Sequence, residues 1–590
     1  MYDIKLEGGK LNKEFVPGER YYQATADVNA ESVGVIVTSS KGTKITLNSN
    51  AANSGEITMI PLREKGYGYT TVEVSVQAED GTEPESFTLA VLKPAPDKKA
   101  LYSRNNRPQF HYTAPYGFIN DPNGMLYNAN TGEYHFFYQA YPYGIRGLSK
   151  HWGHAVTKDL VYFDEKPTAL YPDKNGDMWS GSGIIDYDNT AGLYEDTTPP
   201  EERMVLIYYA YKDSGTSAGL AYTKDGGETW IKERDEKGDI KLLTFVGMEP
   251  EHIDPKVFYL EKESIWVLLT AWGRLYTSED LHTWKFNSST EGWECPDIYE
   301  IRVEETDEVK WVRTYGGSFY YVGDFVKNPD GTLEFVKECG PRLYNGDSHE
   351  LNDTVRIPEW IAGYKGVVYA TQHFKDAPDN RIIAMSWLRE QYTKRIDSSM
   401  TWTGIMTVPV EQKLRKKGDG YLLYSYPVEN LKYLRKDKIF SAQGTPVTPQ
   451  GKNILDSVNT VFADIEGRFR IGEDVTEFGF NLRVGEDGGI TVKYDVTNKL
   501  LVFDPSKSGD DTYCLKRTMK MELPEDRTID LRILLDNVVI ESYGNNGEAY
   551  ISSVYLIPED LKGMDLYSKG GSVWVESLDI FSMNPSWNRL

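Results

Sequence analysis

Three acids in this chain stand where a carboxyl group has chemistry open to it. Splitting an acetal near neutral pH needs one group to protonate the leaving oxygen and a second to meet the positive charge that develops on the anomeric carbon. Two carboxyls in different environments supply both. Asp121 sits in Tyr116-Gly117-Phe118-Ile119-Asn120-Asp121-Pro122-Asn123-Gly124, between an aromatic-rich strand and a predicted Pro-Asn-Gly turn. Apolar neighbours there are suited to excluding water, although Asp-Pro-Asn-Gly alone is ordinary turn chemistry. Glu294 lies in Trp293-Glu294-Cys295-Pro296-Asp297, and its apolar flanks predict a carboxyl held protonated as an acid. Taken singly it also reads as a surface glutamate before a proline. Asp254, in His252-Ile253-Asp254-Pro255-Lys256-Val257-Phe258-Tyr259, opens an apolar strand, where a plain strand-capping role is the bland alternative.

The elements that must position these acids are strands. Thr157-Lys158-Asp159, Thr223-Lys224-Asp225 and Thr277-Ser278-Glu279-Asp280 each close one strand, turn on an acid and reopen on an aromatic, with the threonines 66 and then 54 residues apart. A hairpin recurring at that scale, in a chain nearly devoid of helical periodicity, predicts β-propeller blades. The expected organisation is all-β. An N-terminal β-sandwich module spans 1–97, with a closing hairpin over Val76–Thr82 and Ser86–Val91 that resembles bacterial immunoglobulin-like or cadherin-like modules. A polar linker follows over 98–107, beginning after Pro94-Ala95-Pro96. The propeller spans 108–425, and a C-terminal β-sandwich spans 426–590, with a hairpin across Asp536-Asn537.

At 590 residues the chain exceeds a single hydrophobic core. Its 41 Tyr, 21 Phe and 13 Trp suit sheet packing and also stacking on sugar rings. A net charge of −24 disfavours nucleic acid and anionic membrane surfaces and leaves a neutral substrate as the better fit. No run approaches the roughly 18 apolar residues of a membrane span. The opening Met1-Tyr2-Asp3-Ile4-Lys5 has no basic segment leading into an apolar core. Cys295, Cys339 and Cys514 have no paired spacing, and His151 and His154 form the one close histidine pair; both histidines read as structural. No metal or cofactor is expected.

The blocks Asn120-Asp121-Pro122-Asn123-Gly124, Asp254-Pro255-Lys256-Val257-Phe258 and Glu294-Cys295-Pro296-Asp297 occur in an order that resembles the invertase, inulinase and levanase family, glycoside hydrolase family 32. Phe136-Phe137-Tyr138-Gln139, Trp152-Gly153-His154, Trp179-Ser180-Gly181-Ser182, Tyr369-Ala370-Thr371-Gln372-His373, Ser386-Trp387 and Trp402-Thr403-Gly404 extend the likeness over about 108–580. The resemblance implies a five-bladed propeller with a central funnel and a retaining β-fructosidase that acts on levan, inulin or sucrose-type sugars. Asp121 would be the nucleophile, Glu294 the acid/base and Asp254 the transition-state stabiliser, with the first two carboxyls about 5 to 5.5 Å apart. Asn120, Gln139, Trp152, Ser182 and Trp387 would contact the sugar. A bacterial setting that is extracellular, periplasmic or on the cell surface is implied as well. The sequence departs from the family pattern in three places: Ile253 and Val410 stand where Arg is usual, and Phe118 where Trp is usual. Lys256 and Arg381 are available to replace the missing cation. Two other readings remain open: a non-catalytic fructan-binding or sensing protein of the same fold, and an arabinose- or xylose-directed propeller glycosidase, which would invert.

Overall fold

The computed structural model describes all residues except 1, 13, 16–18, 65, 104–105, 251–252, 317, 347–366, 390–399, 486–487, 509–514, 559 and 590; His252 and Cys514 therefore lie outside the described residues. Five sheets of four or five strands follow one another from Gly117 to Pro427. Their inner strands are Gly117–Asn128, Asp177–Ile185, Lys256–Leu260, Asp297–Arg302 and Val368–His373. Each inner strand contacts the next, and the last contacts the first, so the ring closes. Trp402–Thr403 seals it by pairing in parallel with Gly117 and Phe118. An inner strand has blades packed on both faces, which is why Gly117–Asn128 is buried almost throughout instead of alternating.

The recurring hairpin lies between the third and fourth strands of three consecutive blades. Thr157 Oγ1 faces Asp159 at 3.1 Å and Thr223 Oγ1 faces Asp225 at 2.8 Å. In the third copy the hydroxyl belongs to Ser278, 3.0 Å from Asp280, so the equivalent of the two threonines is Ser278 and not Thr277. The motif is defined by a hydroxyl two residues before the acid, where both side chains cap the backbone N–H groups of the turn.

Residues before the ring form a three-stranded and a six-stranded sheet around Val33, Val35, Val72, Val74 and Leu89. Residues after it form a seven-stranded and a five-stranded sheet around Phe469, Phe478, Phe480, Ile533 and Val575. The stretch read as a polar linker is docked: Lys98–Tyr102 is a single helical turn capped by Asp97, and the Arg107 side chain is fully buried, hydrogen-bonding Thr113 Oγ1 and the carbonyls of Ala114 and Pro115. Among the described residues no helix is long and apolar enough to cross a membrane.

One buried charge cluster joins ring to C-terminal sandwich. Asp536, in the hairpin turn named above, accepts the backbone N–H of Gln109, Phe110 and His111, and its Oδ2 meets His111 Nδ1 at 2.9 Å. Glu541 lies 3.7 Å from the other ring nitrogen. Burial pushes the His111 imidazole down, but bonds to the two acids outweigh it and hold its pKa at about 9. The charged histidine therefore stabilises the fold fully below the unfolded value near 6.5, and that contribution is lost as pH rises through about 9. His111→Gln leaves two acids buried without their cation. It should lower stability by about 3–5 kcal/mol near pH 6 and by less near pH 10, read from denaturant midpoints. A midpoint unmoved at pH 6 would contradict the ion cluster.

Candidate active site

Asp254 and Glu294 stand just before the start of an inner strand and Asp121 in the first half of another, so ring closure gathers them at one mouth of the central channel. Asp121 does not precede a turn. Asp-Pro-Asn-Gly lies inside the strand Gly117–Asn128, whose register with Glu133–Tyr141 shifts between Ile119 and Pro122 and again between Asn123 and Leu126. Pro122 has no N–H for the ladder, and Gly124 takes φ +52° where a Cβ would come within 2.9 Å of Trp152, so bulges replace regular pairing. The irregularity re-aims Asp121 into the channel.

Asp254 (φ +32°) and Cys295 (φ +51°) adopt left-handed backbone that non-glycine residues rarely take, at a cost of about 1–3 kcal/mol each. That geometry brings the Cys295 N–H to Asp254 Oδ2 at 3.1 Å and places Cys295 Sγ 3.6 Å from Asp121 Oδ2 and 3.9 Å from Asp254 Oδ2. The thiol thus bridges two acids from different blades, with Glu294 as its chain neighbour. Burial, and then the adjoining acids, push the Cys295 thiol well above its usual range, so it stays a neutral donor. Glu294 is partly exposed at the rim, where Tyr369 Oη donates to its Oε2 at 2.8 Å. Asp121 Oδ1 is buried and has no hydrogen-bond partner among the described residues. Burial raises the Asp121 carboxyl to about 6; Lys150 opposes the rise and Asp254 adds to it.

A polar relay flanks Asp121. Lys150 Nζ donates to Asn120 Oδ1 at 2.9 Å, Asn120 Nδ2 to Gln139 Oε1 at 2.8 Å, and Gln139 Nε2 to Ser180 Oγ at 2.8 Å. Asn120 and Gln139 are thereby brought beside Asp121, and Trp387, partly buried, packs its ring 6.4 Å from that of Tyr369.

Trp152 and Ser182 are held in the seams between neighbouring blades. Trp152 is 0% exposed, donates its indole N–H to Trp179 O at 2.6 Å and fills the space beneath Gly124 and Gly181. Ser182, 1% exposed, donates to Pro255 O and accepts from Val257 N, stitching the second blade to the third. Trp152 is the cross-strand partner of Gln139 and so shares its face of the first blade. Ile253 is core, packed with Trp266 and Leu268. Neither proposed substitute for the missing arginine reaches Asp121. Lys256 is committed to Asp297 at 2.6 Å and Gln372 at 3.1 Å, and Arg381 to Glu411 at 2.7 Å. The cation that acts on Asp121 is Lys150, which no motif signals; Tyr369, which holds Glu294, opens the Tyr369–His373 segment.

His151 and His154 are held by protein groups, His151 by Ser149 O and Tyr143 Oη and His154 by His135. Among the described residues no three His, Cys, Asp or Glu side chains are grouped to hold a metal. Further along the inner strands, Lys256, Asp297, His373 and Gln372 form a buried polar cluster. Lys256 and His373 from that cluster also line a cavity of about 530 Å³ at the opposite mouth, away from the three acids.

Residues 111–427 match the model of the glycosyl hydrolases family 32 N-terminal domain, and 430–582 match that family's C-terminal domain. The chain belongs to glycoside hydrolase family 32. Residues 2–94 match a cadherin-like beta sandwich domain. A levanase of Bacillus subtilis (strain 168) is 33% identical over 85% of this chain and 74% of its own length. A levanase of Bacillus sp. (strain L7) is 29% identical over 83% of this chain and 53% of its own. The crystal structure of exo-inulinase from Aspergillus awamori superposes with a TM-score of 0.67 over 82% of this chain and 100% of that one; at 21% identity it speaks for the fold. This family 32 member is thus a glycoside hydrolase built as a five-bladed propeller followed by a β-sandwich.

Proposed function

We propose that the enzyme hydrolyses β-fructofuranosyl bonds of fructans or sucrose-type sugars by double displacement, with levan the first substrate to test because both levanases named above are related over most of this chain. The observation that carries the residue roles is the convergence of Asp121 and Asp254 on one buried thiol beside Glu294. Asp121, with an oxygen that no protein donor occupies, attacks the fructosyl C2 while the C2–O bond to the leaving group breaks. Glu294, at the rim within reach of water, gives its proton to the leaving oxygen. It then takes one from the water that attacks C2 and releases Asp121, so two inversions leave net retention. Asp254, held by the Cys295 N–H, faces the oxocarbenium-like charge. Lys150 and Asn120 are placed to bind the fructosyl hydroxyls that the absent arginine would hold.

Incubation with levan, inulin and sucrose, with chromatography of the products and anomeric analysis of the first-formed sugar, tests this. Release of β-configured fructose or fructo-oligosaccharides is expected. Net inversion would remove the double-displacement mechanism, and absence of turnover on all three would remove the substrate assignment.

A further inference from the structure

The chemistry above makes no demand on the cadherin-like module, yet the module touches the segment that delivers Lys150. Tyr21, at the start of the module strand Tyr21–Ala26, donates its Oη–H to Ser149 Oγ at 3.1 Å. Its ring packs edge-on to His151 at 5.0 Å and parallel to Tyr143 at 6.1 Å. Two residues on, Gln23 donates to Thr168 Oγ1 and accepts from Tyr171 Oη, both at 3.2 Å. Tyr69, from the module's central hairpin, packs on Tyr143 at 5.4 Å. Both neighbours of Lys150 are therefore gripped, Ser149 by Tyr21 and His151 by Tyr21 and Tyr143. Lys150 itself reaches inward to Asn120 and lies over the Phe118 ring at 5.5 Å.

A lysine is a point charge on a flexible four-carbon stem, so its location depends on what fixes the backbone beneath it. Burial works against the Lys150 charge, and Asp121 and Asp177 sustain it, with Cys295 also in range. Burial raises the Asp177 carboxyl, and the Lys150 backbone, the Ser149 hydroxyl and then the charges of Lys150 and of Arg20, the module residue next to Tyr21, oppose the rise. Freed from its tether, Lys150 has Asp177 as an alternative partner.

We propose that the N-terminal module is part of the catalytic unit: Tyr21 is a positioning residue that holds the Ser149–His151 segment so that Lys150 stays against Asn120 and Asp121. This rests on the reading of Asp121 as the nucleophile. With Lys150 displaced, Asp121 keeps Asp254 and the Cys295 thiol as neighbours but loses its opposing positive charge. It then protonates at higher pH, and the acidic limb of the rate profile moves upward.

The test uses the full-length chain and kcat/KM for fructose release from levan, inulin and sucrose between pH 4.5 and 8. Lys150→Met and Tyr21→Ala should each move the acidic limb up by about half a unit to one unit and lower kcat/KM by about 10- to 100-fold. Tyr21→Phe, which keeps the ring on His151 and loses only the Ser149 bond, should show a smaller shift in the same direction. Met59→Ala, exposed on the module's other sheet, should match the parent enzyme. A shifted limb in Lys150→Met with an unshifted one in both Tyr21 variants overturns the bracing role and leaves the active-site reading standing. An unshifted limb in Lys150→Met overturns the Lys150–Asp121 pairing, and the proposal with it. A lowered melting midpoint in Tyr21→Ala with the limb in place marks Tyr21 as merely structural and also overturns the proposal.

Discussion

Asp121→Asn should leave the protein folded and lower kcat by about 10⁴- to 10⁶-fold, the range seen when the nucleophile of a covalent mechanism is removed. That corresponds to about 5–8 kcal/mol of lost transition-state stabilisation at 1.36 kcal/mol per decade. The amide has the same shape but too little nucleophilicity to form the ester at C2. Structurally the change disturbs little: the amide keeps the Cys295 thiol at 3.6 Å and loses the pull of Lys150, while the cost of burying the charge and the like-charge repulsion from Asp254 are relieved. The denaturation midpoint should therefore hold or rise slightly while turnover disappears. Fructose release by this variant at near the parental rate would remove Asp121 from the chemistry.

Glu294→Gln should cost about 10²- to 10⁴-fold, the usual contribution of a positioned acid/base. Glutamine can still accept the Tyr369 Oη–H bond but cannot pass a proton to the leaving oxygen or take one from water. The loss should shrink for fructosides whose leaving group departs without protonation. Added azide, which needs no general base, should then restore turnover and yield a fructosyl azide of retained configuration. A deficit equal for good and poor leaving groups, with no azide response, would argue that Glu294 is a binding residue only.

Each of these assignments was visible in the linear chain because the chemistry requires particular side chains in locally specified backbone. Asp121 precedes a proline and a positive-φ glycine that together break the strand ladder, and Glu294 precedes the left-handed Cys295; such irregularities are written in adjacent residues. Their functional meaning was readable because three such blocks occur in a fixed order. Trp152 and Ser182 sit in blocks resembling family segments, and their bonds to Trp179 O, Pro255 O and Val257 N, which tie neighbouring blades together, are set by the packing of the ring. The repeat was detected, yet its third copy was placed one residue early, because sequence similarity weighs Thr above Ser whereas the turn requires a hydroxyl two residues before Asp280.

By itself, then, the sequence determined the strand-built class of the protein and its membership in family 32 and singled out the three acids proposed for the chemistry, since these depend on local backbone chemistry and on residue types that few substitutes can replace. Only the tertiary structure decided which cation serves Asp121, what Lys256 and Arg381 are bound to instead, and that the N-terminal module grips the Ser149–His151 segment. Lys150 and Asn120 are 30 residues apart, and Tyr21 and Ser149 are 128 apart. Contacts of that range exist only after the ring has closed and the module has docked, and no local pattern in the chain records them.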